Sequence, residues 1–426
     1  MPYVNLLDDP LFGDHQALVL GWEQSQLTEI VACLQPLLKG RLTDEMHLAV
    51  ASIARSIVAE HEISGRPVHY ARAKTAYGEP ERYRNGDPWH TWHYMTGGVD
   101  ALHRAGLVDH ALGQWHFHRE SIATATDKLV KLLVPLIRVW EPRGLARRSE
   151  TIVLRDRDKR AIDYAETPDT LAMREDMAVL NERLAELEVH RDGDKFPTPR
   201  LRRVFNGDFD RGGRLYCYGA SHQSLSPQER ANLTIVIGGV AHPVVEIDYA
   251  NLHVAIAYFE AGQLIPPGDQ YLIEGFDRDV VKLAANVLFN AGTTREAIGA
   301  IAHKLDADRS LRWASGIDTR DQKACRDLAR ELVDAVRRKH AAISSYFASD
   351  CGARFQRADS DIAVAVMTDM VDKTGRCPLP VHDSFLVADI DADHLKRTMV
   401  EVADQQGLKL NLKDSREIRK TPEANT

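Results

Sequence analysis

Two stretches decide the fold: Val244-Val245-Glu246-Ile247-Asp248-Tyr249 and Cys377-Pro378-Leu379-Pro380-Val381-His382-Asp383-Ser384-Phe385-Leu386-Val387. In the first, β-branched residues alternate with other types, which predicts a strand with Asp248 at its end. The second predicts two short strands meeting at a turn that presents His382 and Asp383. A carboxylate set into apolar strands is costly unless it is paired or binds a metal. Two such carboxylates can meet across adjacent strands, and hard oxygen ligands of this kind suit magnesium or manganese. Asp248 and Asp383 are therefore the candidate metal ligands and catalytic residues. Glu246 shares a strand face with Asp248, as a supporting carboxylate, a further ligand or a surface partner.

Between these stretches lies Phe276-Asp277-Arg278-Asp279-Val280-Val281-Lys282-Leu283-Ala284-Ala285-Asn286. Arg278 and Lys282 are four residues apart and share one helical face, which Asn286 and Asn290 continue. Alone, such a pair describes a solvated helix. Placed between two aspartate segments, it offers cations for the phosphates of a nucleotide. Two metals bound by the carboxylates and cations on the leaving group are the requirements of nucleotidyl transfer.

Taken in order, these segments resemble the palm of family A DNA polymerases and single-subunit RNA polymerases. Asp248-Tyr249 is similar to their motif A, Arg278 with Lys282 to motif B, and His382-Asp383-Ser384 to motif C. Two further segments agree. Asp210-Arg211-Gly212-Gly213-Arg214-Leu215-Tyr216 resembles the DxRGRxY segment of the RNA polymerases, and Gln356-Arg357-Ala358-Asp359-Ser360-Asp361-Ile362 resembles the QGTAADI helix of family A. The resemblance implies a right-hand palm and fingers over 201–415, with Arg278, Lys282, Asn286, Asn290 and His253 near the nucleotide. It also implies nucleic-acid contacts for Arg214, Gln356 and His382. His253 stands where family A carries the glutamate that crowds the sugar 2′ position. Asn290 stands where an aromatic usually stacks on the incoming base. Sugar selectivity is accordingly left open.

Working outward, residues 1–85 predict a helical region, with apolar spacing over Gln24–Leu38 and Thr43–Glu60, a cap near Thr43 and a turn at Gly65-Arg66-Pro67. Residues 86–140 predict a helix over Tyr94–Ala105, a short hairpin and a second helix over Ile122–Leu136, an order similar to a winged helix. Residues 141–200 predict a basic linker followed by a thumb-like amphipathic helix over Asp169–Leu187. Its buried side carries Leu171, Met173, Met177, Leu180, Leu184 and Leu187. Arg138, Arg143, Arg147, Arg148, Arg155, Arg157, Lys159 and Arg160 make the first part basic. Residues 416–426 read as a tail. The fold class expected is α+β.

The Trp89-His90-Thr91-Trp92-His93 and Trp115-His116-Phe117-His118 stretches crowd histidine with aromatics. No cysteine or carboxylate completes a transition-metal set there, so packing is the expected role of the tryptophans. Gly212-Gly213 lacks the spacing of a phosphate loop and reads as a tight turn aiming Arg214. Five scattered cysteines predict reduced thiols. A hydrophobic fraction of 44%, without an apolar run long enough for a bilayer, describes a globular chain. Met1-Pro2-Tyr3-Val4-Asn5 lacks the regions of a signal peptide, so a cytoplasmic protein with no membrane partner is expected. The net charge of −8 does not advertise nucleic acid, although polymerases concentrate basic charge locally.

The sequence thus predicts a magnesium- or manganese-dependent polymerase. It would add nucleoside triphosphates to a 3′ hydroxyl on a nucleic-acid template, DNA being the expected one, and would be primase-like or of relaxed sugar selectivity. The alternatives are a non-catalytic DNA-binding replication or regulatory protein with a degenerate palm, and a two-metal nuclease.

Overall fold

The computed structural model describes residues 24–418 apart from 66, 78–79, 85–88, 90, 113–120, 138–149, 198, 219–220 and 318–320. Helices and mainly antiparallel sheets mix in two bodies, each with its own core. One core runs from Leu27 to Ile137, the other from Ile152 to Leu408.

The first body is organised around the helix Asp44–Ser64. Thr43 caps it by accepting from the Met46 amide at 3.2 Å, and Gly65 ends it in the left-handed conformation. Apolar residues lie on every side of its middle, and Ala49, Val50, Ile53, Ile57 and Val58 are all fully buried. A helix apolar all round must be enclosed. The helices Gln24–Leu34 and Trp92–Arg104 pack on it, together with a sheet of β1 (Val68–Tyr70), β3 (Ser121–Ala125) and β2 (Val108–Ala111), in that order. Trp89 is buried in this core, whereas Trp92, also expected to pack, is 41% exposed and donates its indole N–H to the Arg72 carbonyl at 2.8 Å.

Two expectations change here. The helix expected over Ile122–Leu136 is a strand to Ala125 and a helix only over Asp127–Leu133. The alternation Ser121-Ile122-Ala123-Thr124-Ala125 buries every second residue, and Thr126 caps the short helix behind it. The division at 85/86 is also crossed, because β1 pairs with β3 and one core spans both sides. The helix Trp92–Arg104, β2, β3 and the helix Asp127–Leu133 follow one another along the chain. Trp115, His116 and His118 lie outside the described residues, as do His90, Arg138, Arg143, Arg147, Arg148 and residues beyond 418, while 416–418, expected in the tail, belong to a short helix Ser415–Ile418.

The second body holds the segments singled out above. β4 (Ile152–Arg155) pairs parallel with β7 (Leu201–Asn206), which pairs antiparallel with β8 (Asp208–Cys217). Residues 152–155, expected in a linker, are therefore a sheet strand whose Ile152 and Leu154 enter the core. The thumb-like helix runs Pro168–Ala185, capped reciprocally by Thr167 and Thr170. Met173, Met177, Leu180 and Leu184 form its buried stripe, and Leu187 is buried just beyond it. Leu171 is 52% exposed, because two residues before Met173 places it about 200° round the helix.

The larger sheet has the order β11 (Leu379–Val381), β12 (Ser384–Ala388), β10 (Val240–Tyr249), β9 (Leu233–Ile237), β5 (Glu188–Arg191), β6 (Asp194–Phe196). β10 is its hinge. Residues 244–248 pair with β12; on the other edge, 240–243 pair with β9 and 247–249 with β13 (Leu412–Asp414). The two bodies meet at residues 82–83, where Arg82 pairs with Glu150, Asp163 and Glu166 and the Tyr83 hydroxyl donates to the Ile162 carbonyl. All five cysteines are free thiols. Among the described residues no helix is long and apolar enough to cross a membrane.

Candidate active site

Asp248 ends β10 at its most crowded point. Its neighbours Ile247 and Tyr249 are buried, and the Tyr249 hydroxyl donates to the Met399 carbonyl at 2.6 Å. The pleat turns Asp248 to the other face, where it remains half-buried. Across it stand Ser384 of β12 and Lys413 of β13. Val381 pairs with Ser384, so His382 and Asp383 form a two-residue hairpin turn. His382 takes the left-handed conformation at φ +57, as the first position of the tightest hairpins requires. The Tyr249 amide donates to the Asp383 carbonyl at 3.1 Å, so the two aspartates rise from hydrogen-bonded backbone.

The electrostatics derive from that arrangement. Burial and the negative charge of Asp383 push the Asp248 carboxyl well above the ordinary carboxylate range, while Lys413 and Lys282 pull the other way. Glu246, on the same strand, is engaged elsewhere. Arg230 donates to both of its oxygens at 2.9 and 3.0 Å, and the Ser384 hydroxyl donates at 2.8 Å. It is a supporting carboxylate that holds the strand carrying Asp383, not a free ligand.

The helix Arg278–Asn290 starts at Asp277, whose side chain caps the amides of Asp279 and Val280. Lys282 is exposed and within electrostatic reach of Asp248. Arg278 is turned to Asp269 at 2.6 Å and lies 5.6 Å from the centre of the Tyr271 ring. Asn286 is exposed, and its carbonyl accepts from the Asn290 side chain at 2.8 Å. Asn290 packs against Gly352, where an added Cβ would fall 2.2 Å from its Oδ1. That contact sets the distance between this helix and the helix Gly352–Thr374.

Arg214 and His253 meet on that second helix. The Arg214 guanidinium donates to Asp359 Oδ2 at 2.7 and 3.1 Å, and His253 Nε2 reaches the same oxygen at 3.1 Å. Gly212 and Gly213 both have positive φ. They form an irregularity within β8 rather than the tight turn expected, and Arg214 comes directly after them. A Cβ on Gly213 would lie 2.8 Å from both Phe205 and the Ser360 hydroxyl. The buried Arg203 locks this point by donating to the Gly213 carbonyl, Ser360 and Asp361. Gln356 is half-buried, one turn before Asp359 and Ser360 on the same helix.

Asp248, Asp383 and Lys282 therefore share one electrostatic neighbourhood, and Arg214 joins it because the charge of Asp383 acts on its guanidinium. Arg278 faces Asp269 instead. Three residues at the site were not singled out in the sequence: Lys413, Asp359 and the buried Tyr271, whose phenol is raised by burial and by Asp383. Lys413 had a signal in its three-residue strand before a buried Asp414. Asp359 had one in being charged on a helix position flanked by apolar neighbours of the core.

Among the described residues no group of three or more histidine, cysteine, aspartate or glutamate side chains is placed to hold a metal ion. The carboxylates of Asp248 and Asp383 are hard oxygen donors, a chemistry that would suit magnesium or manganese.

No protein-family model matches this chain, and a search of curated proteins finds no match. Among solved structures, the chain is similar to the POL domain of Pol1 from M. smegmatis in complex with DNA primer-template and dNTP. The TM-score is 0.30 at 12% sequence identity, covering 96% of this chain and 68% of that one. A similarity of that size leaves the chemistry to this chain's own residues.

Proposed function

We propose that this chain is a metal-dependent nucleotidyltransferase, a polymerase that adds nucleotides to a 3′ hydroxyl on a nucleic-acid template. One observation carries the reading: the Tyr249 amide donates to the Asp383 carbonyl, which sets the turn bearing Asp383 against the strand end bearing Asp248, while the carboxylates around them hold ion-pair partners of their own. A carboxylate pair left in mutual repulsion is a site that a divalent cation relieves.

Magnesium or manganese held by Asp248 and Asp383 would acidify the attacking hydroxyl and offset charge on the transferring phosphoryl group. The chain's own residues do the rest. Lys282, one helical turn from Arg278, offers a mobile point charge to the outer phosphates. Lys413 does so from the opposite edge of β10. Arg278 is available to phosphate once it exchanges Asp269 for that stronger partner. Ser384 and Arg230, by fixing Glu246, hold β10 and β12 in register beneath the two ligands.

Primer extension on a DNA template tests this, with deoxyribo- and ribonucleotide sets and magnesium, comparing the wild type with Asp383→Ala. Extension by the wild type and its loss in the variant is the expected result. Equal incorporation by both proteins would sink the proposal, and shortening of the labelled strand would identify a nuclease instead.

A further inference from the structure

Asp359 is 2% exposed, in the middle of the helix Gly352–Thr374. Burying a carboxylate this completely costs several kcal/mol unless partners meet it. Two do, and they come from different elements: Arg214 from β8, and His253 from the first turn of the helix Leu252–Glu260 just after Asp248. Both use the same oxygen, Oδ2, and Oδ1 is buried without a hydrogen-bond partner. Burial opposes ionisation of Asp359, but the hydrogen bond from His253 and the charge of Arg214 outweigh it and keep the carboxyl below its usual range. A carboxylate only accepts, so the imidazole nitrogen facing it must carry the proton. His253 is then the Nε2–H form when neutral, with a lone pair on Nδ1. The ring edge packs against Phe355, one turn before Asp359 on the same helix, at 6.0 Å between centres.

We infer that Asp359 is a positioning residue that joins Arg214 and His253 into one unit beside the Asp248–Asp383 pair, and presents His253 Nδ1 as a hydrogen-bond acceptor for a substrate hydroxyl. Fixing the tautomer matters because the opposite one would present a donor there, so the hydroxyl would accept from the ring and its own proton would need another partner. The partner class is thus a nucleotide or primer terminus carrying a hydroxyl donor. This rests on the proposed nucleotidyl transfer for its substrate, but the tautomer and the coupling belong to the protein alone.

The test has two arms on the full-length chain. Imidazole 15N spectra, with His253 assigned by its loss in His253→Gln, report the tautomer without any activity. The expected result is Nε2–H in the wild type and loss of that bias in Asp359→Asn. A wild-type Nδ1–H form, or an unchanged spectrum in the variant, overturns the inference. In primer extension, Asp359→Asn should lower kcat/KM for the nucleotide by roughly tenfold, with His253→Gln adding little on top of it, since coupled residues are not additive. Independent, multiplying losses overturn it. If Asp359→Asn does not fold, the wild-type tautomer still decides. A wild type that extends no primer removes the polymerase reading, while the spectra continue to test the positioning of His253.

Discussion

The end of β10 and the middle of the helix Gly352–Thr374 each bury a carboxylate, and they treat it in opposite ways. Asp359 receives an arginine and a histidine, and its carboxyl stays low. Asp248 is met by burial and then by the charge of a second aspartate, and its carboxyl is driven up. Asp414, two residues beyond the neighbouring strand's first residue, shares the Asp359 pattern with Arg416 and Lys396. The fold supplies close ion-pair partners to Asp359, Glu246 and Asp414 around the site, whereas among the described residues Lys413 and Lys282 act on Asp248 through their charge and not as close ion pairs.

The sharpest way to break this contrast is to remove compensation from an acid that has it. Arg230→Ala leaves Glu246 half-buried with only the Ser384 hydroxyl, and should cost about 3 kcal/mol in urea unfolding. A change close to zero would mean that the site tolerates stray carboxylates in general, and Asp248 would lose its special standing. Next in size is Lys282→Ala, which should raise KM for the nucleoside triphosphate roughly tenfold in steady-state extension while leaving the melting temperature unchanged. A lowered melting temperature with unaltered KM would make Lys282 a folding residue.

Asp248→Asn probes the uncompensated side. The folded carboxyl has a raised value, so the stability it contributes is complete below the unfolded carboxylate range near about 4 and is lost as pH rises through the folded value. In metal-free buffer the asparagine variant should therefore match the wild type at acid pH and exceed it by about 1 kcal/mol at pH 8. Magnesium should reverse that order by stabilising only the wild type. Equal thermal melts across the pH range would remove the repulsion from the account. The smallest effect is expected at Arg354, whose pairing with Glu260 is on the surface. Arg354→Ala should change stability by less than about 1 kcal/mol, with 0.5 M salt erasing the difference.

The contrast also explains what could be read from the chain. The Val381–Ser384 hairpin, the β10 strand and the cap at Thr43 were legible because each is decided by a few consecutive residues. The strand at 121–125 was missed because alanine and threonine fit either period, and pairing with β1 and β2 decided it. Asp248 and Asp383 stood out as charges in apolar strands. Which arginines pair with other carboxylates instead did not, because it depends on where Arg214, Arg230 and Arg278 turn. Each of these arginines has a carboxylate partner distant in sequence or turned away from the pair: Asp359, Glu246 and Asp269. Partner choice among charged residues is settled by tertiary packing, which no local pattern encodes.

His382 opens a different consideration. A non-glycine residue in the left-handed region carries a conformational penalty of about 1 kcal/mol, which glycine at the same place would not. The chain therefore forgoes stability it could recover with a single change. Its ring meets Tyr216 of β8 edge-on, 6.0 Å between centres, so the hairpin tip that carries Asp383 is also tied to the strand that carries Arg214. Position 382 thus sets backbone ease against the ring's contact with Tyr216, and this sequence keeps the ring.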